Sequence, residues 1–225
     1  MNRALFMVAV GISSLSTPHC QGDELIVVDP DGQPSSVRSE GAAWNVGDGG
    51  LSAEGTGRFL FADKNLAVGD FHLTARVKLA RIDGTAASFV MGNSHVGFDG
   101  RGKTLFVEGP LFGGRTRGLG ASEEILSPQR EFTFEVIRRS EQTRFLIDGK
   151  EIFSKEDWNE PVQQIGFRPW RNRMTIRQFA IRGNLVEPAP LPVPLGNPLF
   201  VSGTDGYDTY RIPALTVTAK GTVLA

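Results

Sequence analysis

Apolar and polar residues alternate along much of this chain. Between residues 71 and 79 (FHLTARVKL) every second residue is apolar and those between are polar. A period of two is typical of a strand with one buried and one solvated face. The same pattern, or a short apolar run, predicts strands at 87–91, 95–98, 104–107, 132–137, 143–147, 151–153, 164–167 and 174–182.

A hairpin is predicted at Asp148-Gly149, which lies between two apolar runs. Both central residues of a type I′ turn need positive φ, and Asp-Gly meets that need. No segment has the 3.6-residue period of a three-turn amphipathic helix. Many short strands without helices predict an all-β protein, built as an antiparallel sandwich or barrel. The 27 glycines, 13 prolines and 15 phenylalanines agree with many turns and a buried aromatic core.

The first 22 residues are predicted to be a signal peptide. A short positive region at Asn2-Arg3 precedes the apolar stretch ALFMVAVGI, and small residues follow it. This order is typical of an export signal, and the stretch is too short to span a bilayer as a helix. We therefore expect a periplasmic or extracellular protein without a membrane span. A frayed apolar N-terminal strand is the alternative, and Cys20, the single cysteine, allows no internal disulfide.

A proline-rich stretch at 186–198 (VEPAPLPVPLGNP) is predicted to link two domains. Prolines at this density remove backbone donors and keep the chain extended. A ligand for a proline-binding domain is the alternative. This division assigns residues 23–185 to the sandwich and 199–225 to the beginning of a second domain.

The overall charge and the positions of the histidines argue against several classes of function. The formal net charge of −1 gives no general attraction to nucleic acid or to anionic membranes. His19, His72 and His95 are scattered, so we predict no metal site and no cofactor. The glycine-rich stretch GPLFGGRTRGLG lacks the Lys-Ser/Thr of a phosphate loop and is predicted to be a mobile loop.

One candidate glycan site lies within residues 161–185, a span with five arginines and no acidic residue. Trp170 lies there beside Arg168, Arg171 and Arg173. An exposed tryptophan among arginines could stack on a sugar ring and hold an acidic glycan. An ordinary solvated strand face with a core tryptophan is the alternative interpretation. Trp44 and Trp158 stand alone and are expected to be buried.

The segment from Gly206 to Ala225, GYDTYRIPALTVTAKGTVLA, carries a second candidate site. Arg211 follows an aromatic residue at the start of a predicted strand, and Pro213 follows two residues later. Arginine in such a position suits bidentate capture of a carboxylate. The segment as a whole resembles the opening of the catalytic domain of sialidases. The tetrad Tyr210–Pro213 matches their Tyr/Phe-Arg-Ile-Pro motif, and residues 218–225 match the hairpin that follows it.

The resemblance implies both a fold and a chemistry. Residues 199–225 would be the truncated start of a six-bladed β-propeller, and Arg211 one of three arginines that bind the sialic acid carboxylate. The family cleaves with retention, using a tyrosine nucleophile with its glutamate and an aspartate acid/base. Those catalytic residues are expected downstream of Ala225, so none is assigned within this chain. The implied protein is the N-terminal fragment of an exported exo-α-sialidase, inactive by itself, whose partners are sialylated glycans.

The preceding region, residues 23–185, resembles concanavalin A-like jelly rolls of the LamG and glucanase type. The likeness rests on the strand at 71–79, the hairpin around Asp148-Gly149 and the closing strand at 176–183. It leaves an alternative function open, that of a non-catalytic carbohydrate-binding or interaction sandwich. A glycosidase site within the sandwich would need two facing carboxylates, and Glu123-Glu124 in a polar loop is a poor candidate.

Overall fold

The computed structural model describes residues 22–47, 49–189, 216–217 and 223–224. The chain divides into two compact units, Met1–Pro188 and Ala189–Ala225. Residues 1–21 of the predicted signal peptide lie outside the described residues. Most of the predicted linker and the tetrad Tyr210–Pro213, which includes Arg211, also lie outside them. The boundaries assigned to the domains therefore stay predictions.

The described part of the first unit is a sandwich of two antiparallel sheets, as the alternation predicts. No α-helix occurs among the residues described. The strands in chain order are β1 (Asp23–Val28), β2 (Val37–Gly41), β3 (Asn45–Gly47), β4 (Gly50–Glu54), β5 (Arg58–Ala62), β6 (Asn65–Leu79), β7 (Ala86–Met91), β8 (Ser94–Asp99), β9 (Thr104–Glu108), β10 (Arg117–Ala121), β11 (Glu131–Arg139), β12 (Gln142–Ile147), β13 (Lys150–Lys155), β14 (Ile165–Arg168) and β15 (Arg173–Val186).

Within that range one sheet has eight strands and the other seven. The eight-stranded sheet runs β13-β12-β11-β6-β15-β4-β3, with β1 also paired to β15. The seven-stranded sheet runs β10-β9-β8-β7-β14-β5-β2. Strands β14 and β15 follow each other in sequence but belong to different sheets, so the residues between them carry the chain from one layer to the other.

The core lies between the two sheets and follows from the period of two. In β6 the residues Phe71, Leu73, Ala75 and Val77 are at most 1 % exposed, while their neighbours face solvent. Burying such side chains stabilises the fold by roughly 1.5–3 kcal/mol each. Trp44 and Trp158 are also buried, as predicted.

The predicted type I′ hairpin is confirmed between β12 and β13. Asp148 has φ 49° and Gly149 has φ 74°, the left-handed values that this turn requires. The Asp148 carboxylate also accepts a hydrogen bond of 2.8 Å from the backbone N–H of Thr133. In the second unit, strands β16 (Thr216–Val217) and β17 (Val223–Leu224) pair antiparallel, which is the hairpin predicted for that segment.

The mobile loop predicted at 109–120 extends too far, because its last residues belong to a strand. Residues Pro110–Phe112 form a 3₁₀ turn, and β10 pairs with β9. The pairing shifts by one residue between Gly118 and Gly120, and Gly120 has φ 128°. Glycine accommodates such a bulge at little steric cost, so glycines that suggested a loop instead allow a bent edge strand.

Candidate functional site

The outer face of the seven-stranded sheet carries an unusual set of residues. Phe61, Val90 and Phe106 are buried but do not belong to the core cluster between the sheets. Their neighbours in each strand, such as Leu60 and Leu105, do belong to it. Since successive side chains of a strand point to opposite faces, these three face outward. The face is therefore partly apolar although it is not part of the core.

Small residues separate large ones across the middle of this face. The strand register places Phe106 opposite Gly97, Gly97 opposite Ser88, and Ser88 opposite Arg168. Ser88 is buried there, and its hydroxyl accepts a hydrogen bond from Arg168. Two cavities of this face are lined by the larger residues on either side.

One cavity on this face, here called the Trp170 cavity, has a volume of about 330 Å³. It lies in the lower range of small-molecule sites, which run from about 300 to 1,000 Å³. Its walls combine aromatic, acidic and basic side chains, namely Trp170, Phe106, Asp99, Glu108, Arg101 and Arg171. Such a lining offers both ring stacking and hydrogen bonding to hydroxyl groups.

The turn after β14 holds Trp170 over the cavity. Trp170 has φ 29° and Arg171 has φ 71°, and the N–H of Asn172 closes the turn by donating to the Pro169 carbonyl at 3.0 Å. Two successive non-glycine residues with positive φ carry backbone strain. The surrounding structure must hold the turn in place, and such strain often occurs at binding sites.

Asn172 fixes the turn to the sandwich. Its side chain is fully buried. Its amide donates to the Arg81 carbonyl at 2.7 Å and to the Thr85 hydroxyl at 3.0 Å. Both partners lie in the connection between β6 and β7, so the turn is anchored to that connection. Trp170 is thereby held half-buried at the wall of the cavity.

Arg168 contacts Trp170 from the side of the sheet. Its guanidinium lies 4.2 Å from the centroid of the Trp170 ring, within cation–π range. Its Nε donates to the Ser88 hydroxyl at 3.2 Å. Burial lowers the pKa of Arg168, and the charge of Glu108 acts in the opposite direction. Arg168 therefore remains a cation that is partly removed from water.

A second cavity, here called the His95 cavity, has a volume of about 260 Å³. Its lining includes Phe59, Phe61, Gln164, Glu40, Arg168 and His95. The Nδ1 atom of His95 is buried without a hydrogen-bond partner among the described residues. Burial lowers the pKa of His95 to about 4, the positive charge of Arg168 adds to this, and Glu108 opposes it. His95 is therefore neutral at pH 7.

The residues predicted for glycan binding are only partly brought together. Trp170 and Arg171 line the Trp170 cavity, and Arg168 lines the neighbouring His95 cavity. Arg173 lies in β15 of the other sheet, is exposed, and pairs with Glu54 at 2.7 Å. The structure thus does not bring Arg173 to this face. Arg211 lies outside the described residues.

Sequence reasoning missed Phe106, Glu108 and His95. All three are outward-facing members of ordinary strands, and no local motif marks them. The register brings them to this face, with His95 directly opposite Glu108. The alternation of residues within β8 and β9 was visible in the sequence. The sequence did not show that these three residues would share one outer face.

The lining of the Trp170 cavity includes two acidic residues, Asp99 and Glu108. Asp99 pairs with Thr104 while Glu108 pairs with His95, so the two acids are offset by four residues along the strands. Glu123, of the acidic pair Glu123-Glu124 named in the sequence analysis, forms an ion pair with Lys103 at 3.2 Å.

In the described part of the chain, no group of three or more histidine, cysteine, aspartate or glutamate side chains is arranged to hold a metal ion. Among these residues no helix has the length and apolar character to cross a membrane.

Comparison with known proteins shows the fold. A scan against protein-family models finds no match, and a search of the curated proteins finds none. The chain is similar to the carbohydrate-binding module CBM66 from Bacillus subtilis, with a TM-score of 0.51 and 10 % identity over 66 % of this chain and 96 % of that one. It is also similar to the transglycosylase Crh5 in its apo form, with a TM-score of 0.53 and 11 % identity over 71 % and 84 % of the two chains.

A sialidase also matches, at a lower level. The Trypanosoma rangeli sialidase gives a TM-score of 0.48 and 10 % identity over 67 % of this chain, and the match spans only 28 % of that protein. A likeness this weak carries no argument. The stronger matches place the described region among jelly-roll sandwiches, a fold shared by binding modules and enzymes.

Proposed function

We propose that this protein is a carbohydrate-binding sandwich that holds a glycan across the outer face of its seven-stranded sheet. This is the non-catalytic alternative raised by the sequence. The observation that carries it is the placement of Trp170, which a strained and anchored turn holds half-buried at the wall of a cavity lined by apolar and charged side chains. A sugar ring presents an apolar face of C–H groups with hydroxyls at its edge, and this cavity offers a surface for each.

The chemistry of the walls supports carbohydrate binding. Trp170 and Phe106 provide aromatic surface, while Asp99, Arg101 and Arg171 provide acceptors and donors for hydroxyl groups. The site therefore combines the two kinds of surface that recognition of a sugar ring needs.

The test is to titrate the 225-residue protein with defined oligosaccharides by isothermal calorimetry. Suitable probes are cellotetraose, maltotetraose, xylotetraose, lactose, 3′-sialyllactose and tetragalacturonate. We expect at least one to bind and Trp170→Ala to weaken that binding by about thirtyfold, since buried aromatic anchors are worth about 2 kcal/mol or more. Trp170→Phe should retain part of the affinity.

The control variant is Val46→Ala, because Val46 is 49 % exposed and lies in the eight-stranded sheet. It should bind like the unaltered protein. Undiminished binding by Trp170→Ala would place the glycan elsewhere and contradict the proposal. Failure of every probe to bind would contradict it as well.

A second candidate is supported by the C-terminal segment. We infer from the resemblance of residues 206–225 to the opening of a sialidase catalytic domain that the sandwich accompanies an exported exo-α-sialidase. The pairing of Thr216–Val217 with Val223–Leu224 agrees with the hairpin of that motif. In this view Arg211 binds the carboxylate of sialic acid, and residues 1–22 direct the protein out of the cytoplasm. The catalytic residues would belong to a longer gene product.

The measurement for this candidate uses the full gene product, if the reading frame extends past Ala225. It should release sialic acid from 3′-sialyllactose, and Arg211→Ala should lower that rate by at least a hundredfold, because a bidentate charge-assisted contact is lost. An unchanged rate would contradict the proposed contact between Arg211 and the substrate carboxylate. A reading frame that stops after Ala225 would leave only the binding function.

A further inference from the structure

We propose that the His95 cavity is a second subsite on the same face as the Trp170 cavity. It takes an anionic substituent of a sugar, a carboxylate or a sulfate ester, through Arg168. This inference rests on the proposed carbohydrate binding and adds the class of ligand. The bound glycan would be an acidic chain of at least two residues. One sugar would lie against Trp170 and its acidic neighbour beside Arg168.

The two cavities adjoin. Arg168 lines the His95 cavity and contacts Trp170, which lines the other cavity. Glu108 of the Trp170 cavity lies directly opposite His95 in the β8–β9 register. From Phe106 in β9 to Phe59 in β5 the face crosses four strand intervals, or roughly 19 Å at ~4.8 Å each. The face therefore has room for a chain rather than a single ring.

Arg168 has few polar partners among the described residues. Over the described residues its hydrogen bonding consists of the Nε contact to Ser88, and no carboxylate forms an ion pair with it. No carboxylate of the described residues occupies its terminal N–H groups, so they are available to an anion from a ligand, and a charge-assisted hydrogen bond is stronger where the cation is partly removed from water. The planar guanidinium suits a carboxylate or a sulfate, which it can bind through two parallel N–H groups.

The other charges around the His95 cavity do not cancel Arg168. Glu40 already pairs with Arg38. His95 is neutral at pH 7, because burial holds its pKa at about 4. Glu108 lies on the side of the Trp170 cavity and reduces the positive potential without forming an ion pair. The cavity thus offers one free cation to an incoming anion.

The remaining walls suit the ring that carries the anion. Phe59 and Phe61 stack with centroids 5.6 Å apart and planes at 14°, and both provide apolar surface to the cavity. Gln164 also lines the cavity and has an amide that can bond to hydroxyls. An apolar wall, an amide and a cation together match an acidic sugar better than they match a free inorganic anion.

The test compares pairs of oligosaccharides that differ only in the anionic group, using the 225-residue protein and isothermal calorimetry. The pairs are tetragalacturonate with its methyl ester, 3′-sialyllactose with its methyl ester, and a sulfated with an unsulfated chondroitin tetrasaccharide. In at least one pair, the member that carries the additional anionic group should bind about tenfold tighter, as a charge-assisted contact predicts. The first two pairs report a carboxylate and the third a sulfate.

Three variants identify the group responsible. Arg168→Gln should bring the two members of the preferred pair to within about threefold, while Arg168→Lys, which keeps the charge, should retain part of the preference. Arg173→Gln makes the same charge change on the exposed surface of the other sheet and should leave the preference intact. Circular dichroism confirms that each variant is folded.

The outcomes separate the two proposals. Equal binding of the two members of every pair, weakened in both by Trp170→Ala, would overturn the anionic subsite and leave carbohydrate binding standing. A preference that survives in Arg168→Gln would also overturn it. Absence of binding to every probe would overturn both proposals.

Discussion

The outer faces of the two sheets differ in the partner of one arginine. On the eight-stranded sheet Arg144 pairs with Glu151 of the adjacent strand at 2.7 Å. The seven-stranded sheet also has such a pair, Arg38 with Glu40, but its Arg168 contacts an aromatic ring instead of a carboxylate. Exposed ion pairs contribute little to stability, roughly 0–1 kcal/mol each, but each occupies its arginine. The contrast therefore marks Arg168 as the arginine suited to binding a ligand.

The depth of each arginine matters as much as its partner. Arg138 is fully buried on the inner side of the eight-stranded sheet. It donates to the carbonyls of Gly69 at 2.6 Å, Glu160 at 2.7 Å and Ala67 at 3.1 Å. Its guanidinium also lies 4.7 Å from the centroid of Phe71. A buried cation is acceptable here because the protein itself supplies the acceptors, which it does not do for Arg168.

The largest effect is expected from Arg138→Ala. The change removes three hydrogen bonds and leaves three inward carbonyls without donors, besides opening a cavity. We expect the free energy of unfolding to fall by about 3–5 kcal/mol, measured by urea denaturation. A loss below 1 kcal/mol would mean that water readily replaces the guanidinium.

The matched control is Arg173→Ala, which removes an exposed arginine and its ion pair with Glu54 from the same sheet. Its cost should be about 0–1 kcal/mol. If the two variants lose equal stability, burial does not make Arg138 more important to the fold than the exposed Arg173.

A smaller effect is expected from His95 on the other sheet. Its pKa in the folded protein is about 4, below the unfolded value near 6.5. Between these values the unfolded chain binds a proton that the folded chain does not, so acid destabilises the fold. This loss is absent above pH 6.5, grows as the pH falls, and is complete near pH 4.

The measurement compares urea unfolding of the natural protein and His95→Gln at pH 7.5 and pH 4.5. The natural protein should lose more stability between the two values, by on the order of 1–2 kcal/mol after allowance for solvent screening. His72→Gln controls for loss of a histidine on the other outer face. An identical pH response of the His95 variant and the natural protein would argue against a desolvated ring.

Part of this fold could be predicted without coordinates. The alternation in β6 and the Asp148-Gly149 hairpin are local signals, because side-chain period and turn dihedrals depend on neighbouring residues. The strands β1, β2, β4 and β5 were not predicted. Their short runs, such as RFLFA in β5, have no clear alternation, and pairing with distant strands defines them.

The candidate site shows the same division. Sequence alone predicted an all-β fold, a sandwich or a barrel, and located an arginine-rich stretch around Trp170, because both depend on residue type and local spacing. Tertiary structure decided which of those arginines share a face with it. The chain passes from one sheet to the other through the strained turn at Trp170-Arg171. Arg168 and Arg173 therefore lie in different layers, although they are only five positions apart. Pairing across β7, β8 and β9 then brings Phe106, Glu108 and His95 to the same face, through long-range contacts that no local pattern encodes.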